Sequence, residues 1–377
     1  MKIGPSRSLP TLPQELTERA VDYLWDEPLD LVSCSLVCRA WYHATKHHLA
    51  DAADIKSNVA LRSLAHILVG KRMPCYGQIF SWLILREDTA NPYLHTFPIL
   101  IPGSFCPNVR DLNIVDINWA AEVSPHCDFF TYLTFYTSVL FLRLARCHFR
   151  NANQLHKLVQ SLPNLHSLSL DRVTLASESG FDTSWGIARR SALARGPLGH
   201  LAEVTVCGDA SLSSRTCMHR DLLDFAVPSA CLCRLTLDVR YFVSPRELEC
   251  FLITFPALTY LQLQYDPPWP TSSHVAMSYS PHGVYENYPR VPTRTPALRR
   301  LSVTDMRSAS ATWLLAWIST AWPCDSLENL SLSLIDTPSP ALQKVFTHLL
   351  CLSSATLKSI FWRSPTTGEC LGVDRLR

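Results

Sequence analysis

The sequence has little net charge and no apolar segment suited to a membrane. Its 34 basic and 32 acidic residues leave a net charge of +2, so it lacks the positive excess with which nucleic-acid-binding proteins attract polyanions. The first 14 residues contain no apolar core of a secretory signal. The charge-free stretches 129–142 and 308–324 are too short or too polar for a membrane helix, which needs about 20 apolar residues. We therefore expect no nucleic-acid or membrane partner, and a cytoplasmic and/or nuclear location.

Enzyme motifs are also missing. There is no Gly-x-Ser-x-Gly turn and no His-Glu-x-x-His pair, and the one Gly-Lys dipeptide, Gly70-Lys71, lacks the other residues of a phosphate-binding loop. Carboxylates such as Glu247 and Glu249 are most simply solvated helix positions. The sequence therefore nominates no catalytic residue and no cofactor, although a site assembled from distant residues stays open at this point.

The 14 cysteines contain no Cys-x-x-Cys pair. Scattered cysteines in a reducing compartment usually serve as small buried hydrophobic residues, which is what we expect here. Structural zinc sites show tighter paired spacing, so we expect no metal. Two looser sets of ligands remain as alternatives: His43, His47 and His48, or Cys207, Cys217 and His219.

Apolar residues at helical spacing fill the segment 12–49. Leu16, Val21 and Leu24 follow a Thr11-x-x-Gln14 start that can form a capping box. A further apolar run comprises Leu36, Val37, Ala40, Trp41 and Ala44. A segment of about 40 residues buries too little surface to be stable alone. A partner is the simplest way to complete its core.

The same segment resembles the F-box, the helical module that docks onto the SKP1 adaptor of cullin-RING ubiquitin ligases. The resemblance lies in the Leu-Pro start at 12–13, three spaced leucines and the Val-Cys-Arg-x-Trp run at 37–41. It implies an F-box-like module at residues 9–50, with SKP1 as partner and, through SKP1, cullin and RING subunits. The implied SKP1-binding residues are Leu12, Pro13, Leu16, Val21, Leu24, Leu31, Val37, Cys38 and Trp41. The alternative is an ordinary helical cap on a larger domain, with Trp41 as a core residue.

The rest of the chain repeats one pattern, apolar-x-x-apolar-x-apolar. It occurs nine times, starting at Val109, Val139, Leu165, Leu201, Leu232, Leu258, Leu298, Leu327 and Leu357, at separations of 26 to 40 residues. Each unit predicts a short strand whose fourth and sixth residues point inward, because strand side chains alternate between faces. Helical stretches precede several of these strands, at 152–162, 245–255, 309–321 and 340–350.

A strand and a helix repeated at about thirty residues resemble a leucine-rich-repeat array. The predicted fold is therefore α/β: an N-terminal helical F-box, then an irregular leucine-rich-repeat-like solenoid at 107–364, with parallel strands on the concave side and helices on the convex side. Residues 51–106, with a helix at 59–69 and a strand at 78–85, would be a linker and capping segment, and 365–377 a frayed tail. Only Cys147 supplies the Asn or Cys that consensus repeats place after the strand. An ordinary α/β sheet is the alternative, although 12 glycines are few for one with a Gly-rich loop.

The predicted outward side chains form a mixed polar and aromatic surface suited to protein recognition. The long Pro-rich loop 266–295 is a second candidate, since long loops are commonly functional or disordered. The candidate substrate-binding residues are Phe141, Arg143, Arg234, Tyr260, Gln262, Arg300 and, in the loop, Trp269. We therefore expect a non-catalytic substrate-recognition subunit of an SCF-type ubiquitin ligase, with an unknown target protein. The alternative is a protein-interaction scaffold outside the ligase.

Overall fold

The structure is a computed structural model that describes residues 13–24, 28–35, 37–49, 52–69, 80–120, 124–176, 200–208, 231–242, 245–267, 297–364 and 371–374. It has a mixed α/β fold in which a long, mostly parallel sheet follows a set of N-terminal helices. Among the described residues, no helix is long and apolar enough to cross a membrane.

Three helices open the chain: Gln14–Asp22, Pro28–Ser35 and Arg39–Leu49. The first begins differently from the capping-box expectation. Pro13 occupies the N-cap without a side-chain hydrogen bond, and Gln14 instead donates from Nε2 to Glu18 Oε1 at 2.8 Å, one turn further on. Proline suits this place because its missing N–H would have no partner in the first helical turn.

The described residues that follow contain fourteen strands, and twelve of these form one sheet. They are β1 (Ala52–Ile55), β2 (Trp82–Arg86), β3 (Asp111–Val115), β4 (Phe141–Ala145), β5 (His148–Phe149), β6 (Ser167–Asp171), β7 (Thr174–Leu175), β8 (Glu203–Cys207), β9 (Arg234–Asp238), β10 (Tyr260–Gln264), β11 (Arg300–Met306), β12 (Asn329–Leu334), β13 (Ser359–Arg363) and β14 (Leu371–Asp374). The large sheet keeps the chain order, with β5 and β7 set apart as a small parallel pair. All neighbours in the large sheet are parallel except β13 and β14.

All nine predicted strands are confirmed, as β3, β4, β6 and β8 to β13. The register aligns their inward residues: Leu142 pairs with Leu168, and Leu168 with Val204. These side chains are at most 1% exposed. Apolar residues of the connecting helices, such as Leu155 and Phe251, belong to the same buried cluster. Apolar side chains on one strand face and one helix face therefore make a single core along the sheet.

Helices of different length connect the strands. They are Asn58–Val69, Phe97–Leu100, Phe129–Leu133, Ala152–Gln160, Pro245–Leu252, Ser308–Ala321 and Pro340–Ser353, with 3₁₀ turns at Leu94–Thr96, Gly103–Phe105 and Val239–Tyr241. The predicted helices at 59–69, 152–162, 245–255, 309–321 and 340–350 all correspond to helices here, with ends that shift by up to three residues. Amphipathic spacing locates a helix well but fixes its ends poorly.

The ends of the sheet differ from the expectations. The predicted strand 78–85 is present as β2 but begins at Trp82, whereas β1 was not predicted; β1 pairs with β2 in parallel. The tail 365–377 was expected to be frayed, yet β14 pairs antiparallel with β13, with Val373 opposite Ile360. A short strand can form at a sheet edge without a strong apolar pattern because it needs a partner on one side only.

Several strands end in the same turn. Asp116, Arg146, Arg172 and Tyr265 each follow a strand directly and have φ between 53° and 67°. Each donates its N–H to a carbonyl at or near the end of the neighbouring strand in the large sheet, at 2.8 to 3.0 Å; for Asp116 this is Ala145 O, and for Tyr265 it is Thr304 O. Left-handed backbone is unfavourable for residues other than glycine. The bond it permits between neighbouring strands compensates for that cost.

Candidate functional site

The N-terminal helices have a small core of their own. Val21, Leu31 and Ala44 are buried, with Leu24 and Trp41 packed partly against them. This cluster is separate from the core of the sheet among the described residues. At about 1.5–3 kcal/mol for each fully buried Val or Leu side chain, Val21 and Leu31 together contribute about 3–6 kcal/mol, and the smaller Ala44 adds less. The core that the structure describes in this module is therefore small.

The implied SKP1-binding residues divide into buried and exposed groups. Val21 and Leu31 are buried and Leu24 and Trp41 partly buried, which leaves little of the first two side chains for a partner. Leu16 is 50% and Val37 66% exposed. Pro13 and Cys38 are also exposed, and Leu12 lies outside the described residues.

Sequence reasoning missed two exposed tyrosines beside these residues. Tyr23 is 85% exposed and Tyr42 46% exposed. A heptad separates Leu16 from Tyr23, which places both on one face of the first helix. That spacing could have identified Tyr23, whereas Tyr42 follows Trp41 and breaks the apolar pattern. The module thus exposes large apolar side chains that a partner could cover.

The second candidate surface is the face of the sheet opposite the core. Phe141, Arg143, Arg234 and Arg300 are exposed there and Tyr260 and Gln262 partly exposed, as the alternation predicted. Trp269 lies outside the described residues, as does most of the loop 266–295.

Four of the predicted residues come together in one depression of about 440 Å³ on β8 to β11. These are Arg234, Tyr260, Gln262 and Arg300. Glu203, Thr205, Cys207, Thr236 and Gln264 complete its lining. The last five occupy outward positions of the same repeat pattern, so extending the register across all units would have found them. Phe141 and Arg143 lie away from the depression on β4, where Arg143 pairs with Asp171 at 3.6 Å.

Local contacts order the side chains of this depression. Arg234 lies over the ring of Tyr260, with its guanidinium carbon 5.7 Å from the ring centroid. The Tyr260 hydroxyl donates to Gln262 Oε1 at 2.8 Å. Cys207 contacts Gln264 Oε1 at 3.6 Å, and burial raises the pKa of its thiol. The Cys207 thiol therefore stays protonated at neutral pH and behaves as a neutral part of the wall.

Charged side chains at the ends of the strands belong to the scaffold. Arg146 donates to both carboxylate oxygens of Asp116, at 2.6 and 2.8 Å, and this bond lowers the pKa of Asp116. Asp238 is fully buried and accepts from Arg240, closest at 2.6 Å, and from the N–H of Gly208 at 3.1 Å. Gly208 follows β8, so the Asp238 carboxylate replaces the strand carbonyl that the other turns use.

The cysteines follow the expected pattern only in part. Cys106, Cys147 and Cys324 are buried, and burial raises the pKa of Cys147 to about 12. Four others were expected to be buried but are exposed: Cys38, Cys127, Cys231 and Cys351.

Neither alternative metal set is assembled in the described part of the chain. His43 is exposed, while Cys217, His219 and the side chains of His47 and His48 lie outside the description. The described residues contain one other group of candidate ligands, the consecutive and exposed His126, Cys127 and Asp128. These three neighbours hydrogen-bond among themselves at the surface.

Comparison with known proteins identifies the segment that contains the first surface. Residues 9–50 match the F-box-like family model, whereas no curated protein matches the chain. The match covers the three N-terminal helices and about a tenth of the sequence. F-box domains typically bind SKP1, and F-box proteins are generally non-catalytic adaptors. The chain carries an F-box-like domain at residues 9–50, which supports an F-box protein.

Proposed function

We propose that this chain is the substrate-recognition subunit of an SCF-type ubiquitin ligase. It binds SKP1 through residues 9–50 and a target protein through the free face of the sheet. The observation that carries the proposal is the F-box-like match on a segment that exposes Leu16 and Val37. SKP1 in turn brings cullin and RING subunits, in the cytoplasm, the nucleus or both.

The energetics of the module support a bound partner. Covering an apolar side chain fully is worth about 1.5–3 kcal/mol, so the exposed parts of Leu16 and Val37 together offer roughly 2–3 kcal/mol, and Tyr23 adds to this. Such contacts help to offset the loss of freedom on association. The buried Val21 and Leu31 hold the helices together and present the exposed residues.

We further propose that the sheet is a degenerate leucine-rich-repeat-like solenoid. The chain-order parallel strands and their spacing of about thirty residues support this. In such an array one strand face stays open, and here it holds the depression on β8 to β11. This surface would hold the target.

Ubiquitin transfer itself would belong to the recruited E2 and RING subunits. The present chain would contribute proximity, since tethering a target raises the effective concentration of its lysines near the loaded E2. No residue of this chain needs to touch the reacting atoms in that role.

The test is a charge substitution on the exposed part of the module. Leu16→Glu and Val37→Glu together should abolish co-purification of SKP1, because both side chains are exposed in the free chain and would place two charges in an apolar interface. The matched control is Val59→Glu with Ile335→Glu, two apolar residues that are exposed elsewhere. It should bind SKP1 like the wild type.

Far-UV circular dichroism should be the same for both variants and the wild type. Undiminished SKP1 capture by the Leu16/Val37 variant would contradict the assignment of the surface. Capture of SKP1 without cullin would instead indicate the alternative function, a protein-interaction scaffold outside the ligase.

A further inference from the structure

The depression on β8 to β11 places two arginines on either side of a tyrosine. Glu203, Arg234, Tyr260 and Arg300 are direct register partners across the four strands. Neighbouring strands lie about 4.8 Å apart, so the backbones of Arg234 and Arg300 are separated by roughly 10 Å. Long side chains on both can reach one small group above Tyr260.

Among the described residues, neither arginine forms a close ion pair with a carboxylate, although Glu203 is the register neighbour of Arg234 and Glu328 interacts with Arg300 at longer range. Ion pairs occupy other arginines of the sheet, such as Arg143 with Asp171 and Arg299 with Glu328. Arg234 contacts the Tyr260 ring instead. Arg300 lies near Glu328, whose hydrogen-bonded partner is Lys358 at 2.9 Å. The two guanidinium groups therefore retain donors for a ligand.

Further donors line the same depression. Thr205 and Thr236 are register partners in the next row, and Gln262 lies beside them. The Tyr260 hydroxyl donates a hydrogen bond to Gln262 Oε1, and the amide nitrogen of Gln262 can donate to a ligand. Guanidinium, hydroxyl and amide donors around one concave site suit an anionic acceptor.

We propose that this depression binds the carboxylate of an aspartate or glutamate in an exposed segment of the target protein. The assignment rests on the proposed function and specifies its substrate class. Arginine matches a carboxylate with two parallel hydrogen bonds, and the contact of Arg234 with the Tyr260 ring holds its guanidinium at the depression. Glu203 reduces the local charge to +1, which balances one carboxylate better than a phosphate of charge about −2.

The test is peptide selection by the full chain in its complex with SKP1. A library of random 12-residue peptides displayed on phage is selected with the wild type, with Arg234→Gln/Arg300→Gln, and with Arg110→Gln/Arg150→Gln. The last variant is the matched control because it removes the same charge from exposed arginines outside the depression. Enriched peptides are then measured for affinity by fluorescence anisotropy.

We expect the wild type and the control to enrich Asp and Glu, and the Arg234/Arg300 variant to lose that enrichment. Affinity for an enriched peptide should fall at least about tenfold in that variant, since it loses the charge-assisted hydrogen bonds of both guanidinium groups. Replacing the acidic residue of the peptide by Gln should cause a similar loss.

Three results would overturn the proposal: no acidic enrichment with the wild type, equal enrichment with the Arg234/Arg300 variant, or tighter binding of a phosphoserine peptide than of the acidic one. SKP1 retention is measured in the same samples. Loss of SKP1 from the wild type would count against the proposed function, whereas retained SKP1 without acidic selection would count against the carboxylate site alone.

Discussion

Asp238 should be far more important for stability than the similar Asp116. Both carboxylates pair with an arginine at the carboxyl end of a strand, at 2.6 Å in each case. The Asp238 side chain is 0% exposed and that of its partner Arg240 19%, whereas the side chains of Asp116 and Arg146 are 35% and 45% exposed. The two pairs differ in burial, and Asp238 also accepts a hydrogen bond from the N–H of Gly208, so substituting Asn in each tests these two differences together.

The magnitudes follow from solvent access. Removing one partner of a buried ion pair costs about 3–5 kcal/mol, because the other charge is left uncompensated. Arg240 keeps some contact with water and lies 4.2 Å from the ring centroid of Tyr265, so we expect the lower end, about 3 kcal/mol, for Asp238→Asn. Exposed pairs are worth about 0–1 kcal/mol, which sets the expectation for Asp116→Asn.

Urea unfolding followed by far-UV circular dichroism measures both variants. With a slope of about 3 kcal/mol/M, Asp238→Asn should move the midpoint down by roughly 1 M and Asp116→Asn by less than about 0.3 M. Hydrogen exchange should rise most in peptides that contain Gly208 and Tyr265, because Asp238 and Arg240 contact them. Equal midpoint shifts for the two variants would refute the argument from burial.

Two further predictions concern side-chain access and backbone packing. Iodoacetamide at pH 8 should alkylate the exposed Cys351 and leave Cys147 unmodified in the folded chain, because burial raises the pKa of Cys147 to about 12. Mass spectrometry measures the labelling of each cysteine, and equal labelling of the two would contradict the structure. Gly103→Ala should lower the free energy of unfolding by about 1–3 kcal/mol, because a Cβ there would overlap the backbone carbonyl of Phe135; an unchanged urea midpoint would contradict that contact.

The strands could be predicted because burial of one sheet face requires apolar residues at every second position of a strand. Leu168 and Leu170 alternate with serines that face away from the core, and the same alternation recurs in each unit. The edge strand β1 lacks this alternation of apolar and polar residues. β1 has the sequence Ala-Ala-Asp-Ile, and only Ile55 is buried, so its pairing with β2 depends on the fold already being present.

The turns after the strands could not be predicted for a different reason. Left-handed backbone is usually inferred from Gly or Asn, yet Arg146 and Tyr265 adopt it here. Their N–H groups bond to carbonyls of the next strand, so tertiary hydrogen bonding selects the conformation. The residue types at these positions therefore do not predict a left-handed backbone.

In the F-box-like domain the sequence identified the segment but not which residues face inward. Leu16 and Val21 are five residues apart, which is about 140° around a helix, so they cannot both face one small core. The structure buries Val21 and exposes Leu16. Apolar residues spread around a short helix indicate two surfaces, and assigning each residue to one of them requires the packing of all three helices.

The depression on the free face follows from register, so its binding properties can change without affecting the core. Arg234 and Arg300 are 66 residues apart in the chain but occupy equivalent positions on β9 and β11. Their neighbours Leu235 and Leu301 point to the other face and are at most 1% exposed. Substituting the arginines should therefore alter target selection. The free energy of unfolding, measured with urea, should stay within about 0.5 kcal/mol of the wild-type value. Along each strand, inward residues stabilise the core, and the outward residues between them are free to determine what the sheet binds.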